Sequence, residues 1–156
     1  MPTPEPGVTP GPELFVRRRR SHAVREQVPV VATVALGGAL GACARYGMEL
    51  AWPTPSGGFP WATLVVNVSG CALMGALMVA ITEVWVGHRL LRPVLGTGVL
   101  GGYTTFSTFA GDVDSLAAAG HPARALLYLL TTPVSVLVAT WTAAAITRRL
   151  ITRRTS

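Results

Sequence analysis

Lysine is absent. All thirteen basic residues are arginine, and charged residues make up only 13% of the 156-residue chain. So little charge, with half of the residues hydrophobic and a mean hydropathy of +0.47, excludes an ordinary soluble domain and suits a small polytopic membrane protein. Cysteine is nearly absent as well: Cys43 and Cys71 both lie in apolar stretches, where a free thiol behaves as a small hydrophobe, so no disulfide framework is expected. The three histidines, His22, His88 and His121, lack ligand spacing, which argues against a His/Cys metal cluster. Acidic residues are missing from the middle of every apolar segment, since Glu49, Glu83, Asp112 and Asp114 all fall at segment ends. An antiparallel four-span exporter of lipophilic cations would need a membrane-embedded carboxylate, and that absence counts heavily against one. No nucleophile and base can be paired, which argues against an enzyme. A structural membrane subunit without a pore is the remaining bland alternative.

What is present divides into four apolar spans between basic tails. Residues 1–27 are rich in Pro, Gly and charge and end in Arg17, Arg18, Arg19, Arg20 and Arg25, so they read as a disordered cytoplasmic tail. The basic stretch followed by Leu40 to Cys43 imitates a lipoprotein signal, but the apolar run is too long and three more spans follow, which favours a retained first helix. The expected membrane domain is 28–147, and 148–156 forms a second basic tail.

The first span, about Val28 to Leu50, contains GGALGACARY, whose small residues let helices pack closely. Arg45 near its end is either an interface anchor or a buried functional charge. A turn-rich loop from Trp52 to Pro60 leads into the second span, about Ala62 to Val86, which holds Asn67 in TLVVNVSG. An amide at membrane depth demands partners: Asn67 is either interhelical glue or an NH2 donor to an anion. The fourth span, about Ala123 to Ile146, carries Tyr128 and Thr132 four apart on one face, with Ser135 near. They form a hydroxyl track unless each hydroxyl bonds back to its own helix.

The third span, from Pro93 to Asp112, is interrupted by GGYTTFSTF, Gly101 to Phe109. Glycine is entropically costly in a helix, and Thr and Ser offer the backbone competing hydrogen bonds, so a break over Gly101 to Thr105 is expected. Irregular backbone in a bilayer survives only where it is buried in protein or lines a watery cavity. A break there marks a site, with freed carbonyls able to take a cation, unless the stretch is simply a flexible Gly-rich helix with its Phe residues facing lipid. Phe106 and Phe109 share a face beyond it, with Ser107 beside them.

Four spans put both termini and the His88 to Arg92 loop on one side. Eleven of the arginines fall there, against Arg124 on the other side and Arg45 near it. The positive-inside rule then makes both termini cytoplasmic, and the charge reads as a signal for membrane orientation rather than for nucleic-acid binding.

GGALGACARY, TLVVNVSG and GGYTTFSTF, in that order on spans one, two and three, resemble the CrcB (Fluc) fluoride channel family over about Val28 to Ile146. The resemblance implies an all-α fold of four transmembrane helices, the third broken near its middle, paired as an antiparallel dimer in the bacterial cell membrane. It implies passive export of cytoplasmic fluoride. It also implies a structural Na+ at the dimer interface, held by the backbone carbonyls of Gly101 and Thr104. The implied pore residues are Asn67, Phe106, Phe109, Tyr128, Thr132 and Ser107, with Arg45 in an electrostatic or structural role. The partners implied are fluoride, membrane lipid and a second subunit. One departure stands in the fourth span, where the family often has serine two turns after the tyrosine and this chain has Val136. The other is the strong positive bias, which fixes one orientation and points to a heterodimer with an oppositely oriented paralogue.

Overall fold

The computed structural model describes the backbone of residues 12–85 and 90–155, and side chains over 27–85 and 90–153. Residues 1–11 of the expected tail, with His88 and Arg89 of the polar loop, lie outside the described residues, as do the side chains of Arg17 to Arg25 and Arg154. Every described element is helical.

Helix α1 spans Pro12–Ala51 and α2 spans Trp61–Glu83. The chain then winds as a π-helix over Arg92–Leu100 and continues as α3, Gly101–Tyr103. After a break come α4, Ser107–Ala118, and α5, Pro122–Thr155. Three stretches are long and apolar enough to cross a membrane: Gln27–Ala51, Trp61–Glu83 and Pro122–Arg153. The region between Arg92 and Ala118 is not among them because the break divides it into short pieces.

Helix α1 begins fifteen residues before the expected edge of the tail. Pro12 suits a first helical position, and the following Glu, Leu, Arg and Ala residues are good helix formers; the helix runs on through Pro29 into the apolar segment. Gly120, at φ +81, closes the turn from α4 to α5, where the His121 N–H donates to the Leu116 carbonyl at 3.0 Å.

Helix α2 packs along α5, and α1 along the π segment and α3. Both contacts are backbone to backbone. A Cβ on Gly75 of α2 would strike the Thr140 carbonyl of α5; one on Gly41 would strike the Val99 carbonyl, and one on Gly102 the Gly38 carbonyl. The glycines of GGALGACARY and GGYTTFSTF are thus two halves of one close approach. Among the described residues one buried cluster forms, Phe109, Leu116, Ala125 and Tyr128, flanked by Phe59, Leu64 and Val113, while Ala62, Val66, Val79 and Leu100 are buried outside it. Leu36, Leu40, Leu137 and Trp141 stay exposed, as expected of a chain whose outer faces meet lipid or another subunit.

Candidate functional site

The break falls at residues 104–106, and its cause is a set of hydroxyls and one amide rather than the glycines. Gly101 and Gly102, expected to open it, are helical. Thr104 turns extended, φ −75 and ψ 154, and the helix resumes at Ser107. In a continuous α-helix the Thr105 N–H would donate to the Gly101 carbonyl and the Thr108 N–H to the Thr104 carbonyl. Here the Thr105 N–H donates to Asn67 Oδ1 at 2.8 Å, and the Thr108 N–H to Thr105 Oγ1 at 3.1 Å. Two side chains have taken the donors that belong to two carbonyls.

Asn67 is buried in α2 and grips Thr105 twice, since its Nδ2 also donates to the Thr105 carbonyl at 3.0 Å. A backbone N–H can only donate and a carbonyl can only accept, so the pairing fixes which way the amide faces. The glue reading of Asn67 is thus realised through the backbone of the break. Arg45 approaches from α1: its Nε lies 3.5 Å from the Gly102 carbonyl and its Nη1 is 3.2 Å from Glu49 Oε1. It is half-buried and bridges the first span to the broken helix, a contact the interface-anchor reading does not contain.

Four aromatic rings continue from the break in a row. Phe106 and Phe109 lie 5.8 Å apart, Phe109 and Tyr128 5.2 Å, and Tyr128 meets Phe59 edge-on at 5.3 Å. Phe109 and Tyr128 are buried, whereas Phe106 is 79% exposed beside the break, with Ser107 also open. The Tyr128 hydroxyl donates to Asp112 Oδ2 at 3.4 Å. One turn further along α5, the Thr132 hydroxyl is buried beside the Tyr128 hydroxyl and makes no well-formed hydrogen bond. Thr131, Thr140 and Thr147 on the same helix all bond back to carbonyls four residues earlier. Thr132 does not, and a buried hydroxyl without a good hydrogen bond costs about 1–3 kcal/mol unless something supplies a partner.

The structure therefore brings Phe106, Phe109, Tyr128 and Thr132 onto one path, and sets Asn67, Arg45, Gly101 and Thr104 around the break at its head. Ser135 and Val136 are half-buried further along α5. Thr105 is the residue sequence reasoning missed. A Ser or Thr preceding a helix commonly accepts an N–H three residues on, and the spacing of Thr105 to Thr108 carries that cap signal. Asp112, the carboxylate at Tyr128, was read only as a segment end. Among the described residues no three His, Cys, Asp or Glu side chains gather as metal ligands. Any cation here would be held by backbone oxygen, and the Gly101 and Thr104 carbonyls, each deprived of its helical donor, fit that need.

Helices that pack through bare glycine, a broken span braced by side chains and a row of aromatic rings shared between two helices define a small helical membrane protein. Residues 32–144 match the family described as CrcB-like protein, Camphor Resistance (CrcB). The chain belongs to that family. It is 57% identical over 132 residues to the protein named fluoride-specific ion channel FluC 2 of Streptomyces avermitilis, covering 85% of this chain and 84% of that one. It is 58% identical over 132 residues to fluoride-specific ion channel FluC 1 of Streptomyces coelicolor, covering 85% and 86%. A further S. avermitilis relative, fluoride-specific ion channel FluC 3, is 45% identical over 125 residues, covering 80% of this chain and 61% of its own length.

Proposed function

We propose that the chain is one subunit of a fluoride-selective channel through which cytoplasmic fluoride leaves passively. The observation that carries this reading is the buried Thr132 hydroxyl, without a well-formed hydrogen bond and one turn from Tyr128, beside the row of rings Phe106, Phe109, Tyr128. Fluoride is small and tightly hydrated, so a pore must replace its water with donors. The Thr132 hydroxyl can turn from its Tyr128 neighbour to donate, and the Tyr128 hydroxyl can exchange its bond to Asp112 for the ion. An aromatic ring is electropositive at its edge, so Phe106 and Phe109 met edge-on stabilise the dehydrated anion between donors. Ser107 lines the exposed entrance beside Phe106. Chloride is excluded mainly by width.

The assembly in this reading is an antiparallel dimer of four-span subunits in the bacterial cell membrane. The channel domain is 28–147, the broken segment counts as the third span, and both basic tails are cytoplasmic. The exposure of Phe106 and Gly101 supports a second subunit at the break. The Gly101 and Thr104 carbonyls would hold Na+, which would supply a fixed positive charge at the break. The arginine bias favours one orientation, so an oppositely oriented paralogue is the expected partner. No energy coupling is needed: HF enters, dissociates in the more neutral cytoplasm, and the inside-negative potential drives the anion out.

The test in cells is growth on fluoride of a bacterium lacking its own exporter. Expression of the chain, with its paralogue where required, should restore growth, and expression without any gain in fluoride tolerance would contradict the reading.

A further inference from the structure

We infer that Asn67 and Thr105 are positioning residues for the backbone cation site, Asn67 acting through the peptide of Thr105. The inference rests on the proposed Na+ site. Its basis is which donors are diverted: Asn67 Oδ1 takes the Thr105 N–H and Thr105 Oγ1 takes the Thr108 N–H, the two groups a continuous helix would spend on the Gly101 and Thr104 carbonyls. The two carbonyls released in this way are the pair a cation needs.

The arrangement is closed from several sides. The Asn67 Nδ2 holds the Thr105 carbonyl at 3.0 Å, so the amide fixes both faces of that peptide and not the N–H alone. The Thr105 hydroxyl, while accepting from Thr108, donates to Thr108 Oγ1 at 3.1 Å and lies 3.3 Å from Ser107 Oγ. Asn67 is 7% exposed, and each polar end already has a backbone partner, which leaves one N–H of its amide for any other role. Without Asn67 the Thr105 N–H lacks its acceptor, and the cheapest replacement is the Gly101 carbonyl, which extends α3 by one residue and competes with the cation.

The test is a titration of sodium against potassium in fluoride-free buffer, reading the thermal midpoint and dimer fraction of the purified full chain, assembled with its paralogue where the dimer requires it. With no fluoride present, a pore role is silent. The wild type should gain stability and dimer as sodium rises. In Asn67→Ala the sodium concentration needed should rise at least about tenfold, the equivalent of losing one hydrogen-bonded contact. Thr105→Val should need several-fold more sodium, while Thr105→Ser, which keeps the hydroxyl, should stay within about threefold of the wild type. If Asn67→Ala does not fold, the two Thr105 variants decide. A wild type indifferent to sodium would sink the Na+ site and this inference with it. A sodium-responsive wild type whose Asn67→Ala and Thr105→Val variants respond identically would overturn the positioning role alone.

Discussion

Thr131 and Thr132 are neighbours on one helix and behave oppositely: the first hydroxyl bonds back to the Leu127 carbonyl at 2.7 Å, the second is buried and makes no well-formed hydrogen bond. If the Thr132 hydroxyl is kept available for an anion, Thr132→Val should separate function from stability. Fluoride flux should fall about tenfold or more, the cost of one donor to a charged group, while the melting temperature in detergent stays level or rises. A variant that loses stability along with flux would make Thr132 structural. Phe106 offers the complementary case, because at 79% exposure it contributes little to the single subunit's core. Phe106→Ile should lower flux roughly five- to tenfold, about the worth of an aromatic-edge contact, with the fold intact by circular dichroism. At this scale the Phe pair and the Tyr128 to Thr132 spacing were legible because helical periodicity alone puts such residues on one face. The partners were not. That Asn67 would hold Thr105 and that Tyr128 would find Asp112 depend on how α2 and α5 lie against the broken segment, and one chain's spacing carries no information on that.

Glycine does different work in the broken segment from what its composition suggests. Gly101 and Gly102 weaken a helix on average, which made them the expected start of the break, but in place they remain helical. Gly102 is bare because α1 lies against it, its absent Cβ occupying the position of the Gly38 carbonyl. The break itself comes two residues later, where Thr105 and Asn67 provide alternative partners for backbone donors. Sequence therefore located the irregular stretch to within a few residues and named the competing hydroxyls as a cause, but gave the glycines a share they do not have and did not connect the Asn67 amide to it. The π winding over Arg92–Leu100, in which the Gly101 N–H reaches the Gly96 carbonyl, had no sequence signal, since a shift from four- to five-residue spacing changes the hydrophobic pattern too little to see. Gly102→Ala should drive α1 and α3 apart and cost about 1–3 kcal/mol by overpacking, read as a lower unfolding midpoint in detergent. Gly47→Ala is the control, since a Cβ there meets nothing within 4 Å. An unchanged midpoint for Gly102→Ala would mean that the two helices are not held in backbone contact.

As a whole molecule the chain leaves large apolar side chains uncovered on α1 and α5, and opens its break and Phe106 to the outside. The three long spans were legible because twenty-odd apolar residues between turn signals admit one reading. The extent of α1 was not, because its charged N-terminal part carries helix formers and the helix runs on through Pro29. The arginine asymmetry argues for a fixed orientation, which predicts that the chain alone, fused at its C-terminus to a reporter active only in the cytoplasm, gives full signal there and none from a periplasmic reporter. Comparable signal from both would favour dual insertion and a homodimer. The central claim is tested most directly by ion efflux from liposomes holding the purified protein, alone and co-reconstituted with a paralogue, with chloride as the control anion. Fluoride should leave and chloride should stay, in the paired preparation above all. Absence of fluoride flux from both preparations, or chloride leaving as readily as fluoride, would contradict a fluoride-selective passage.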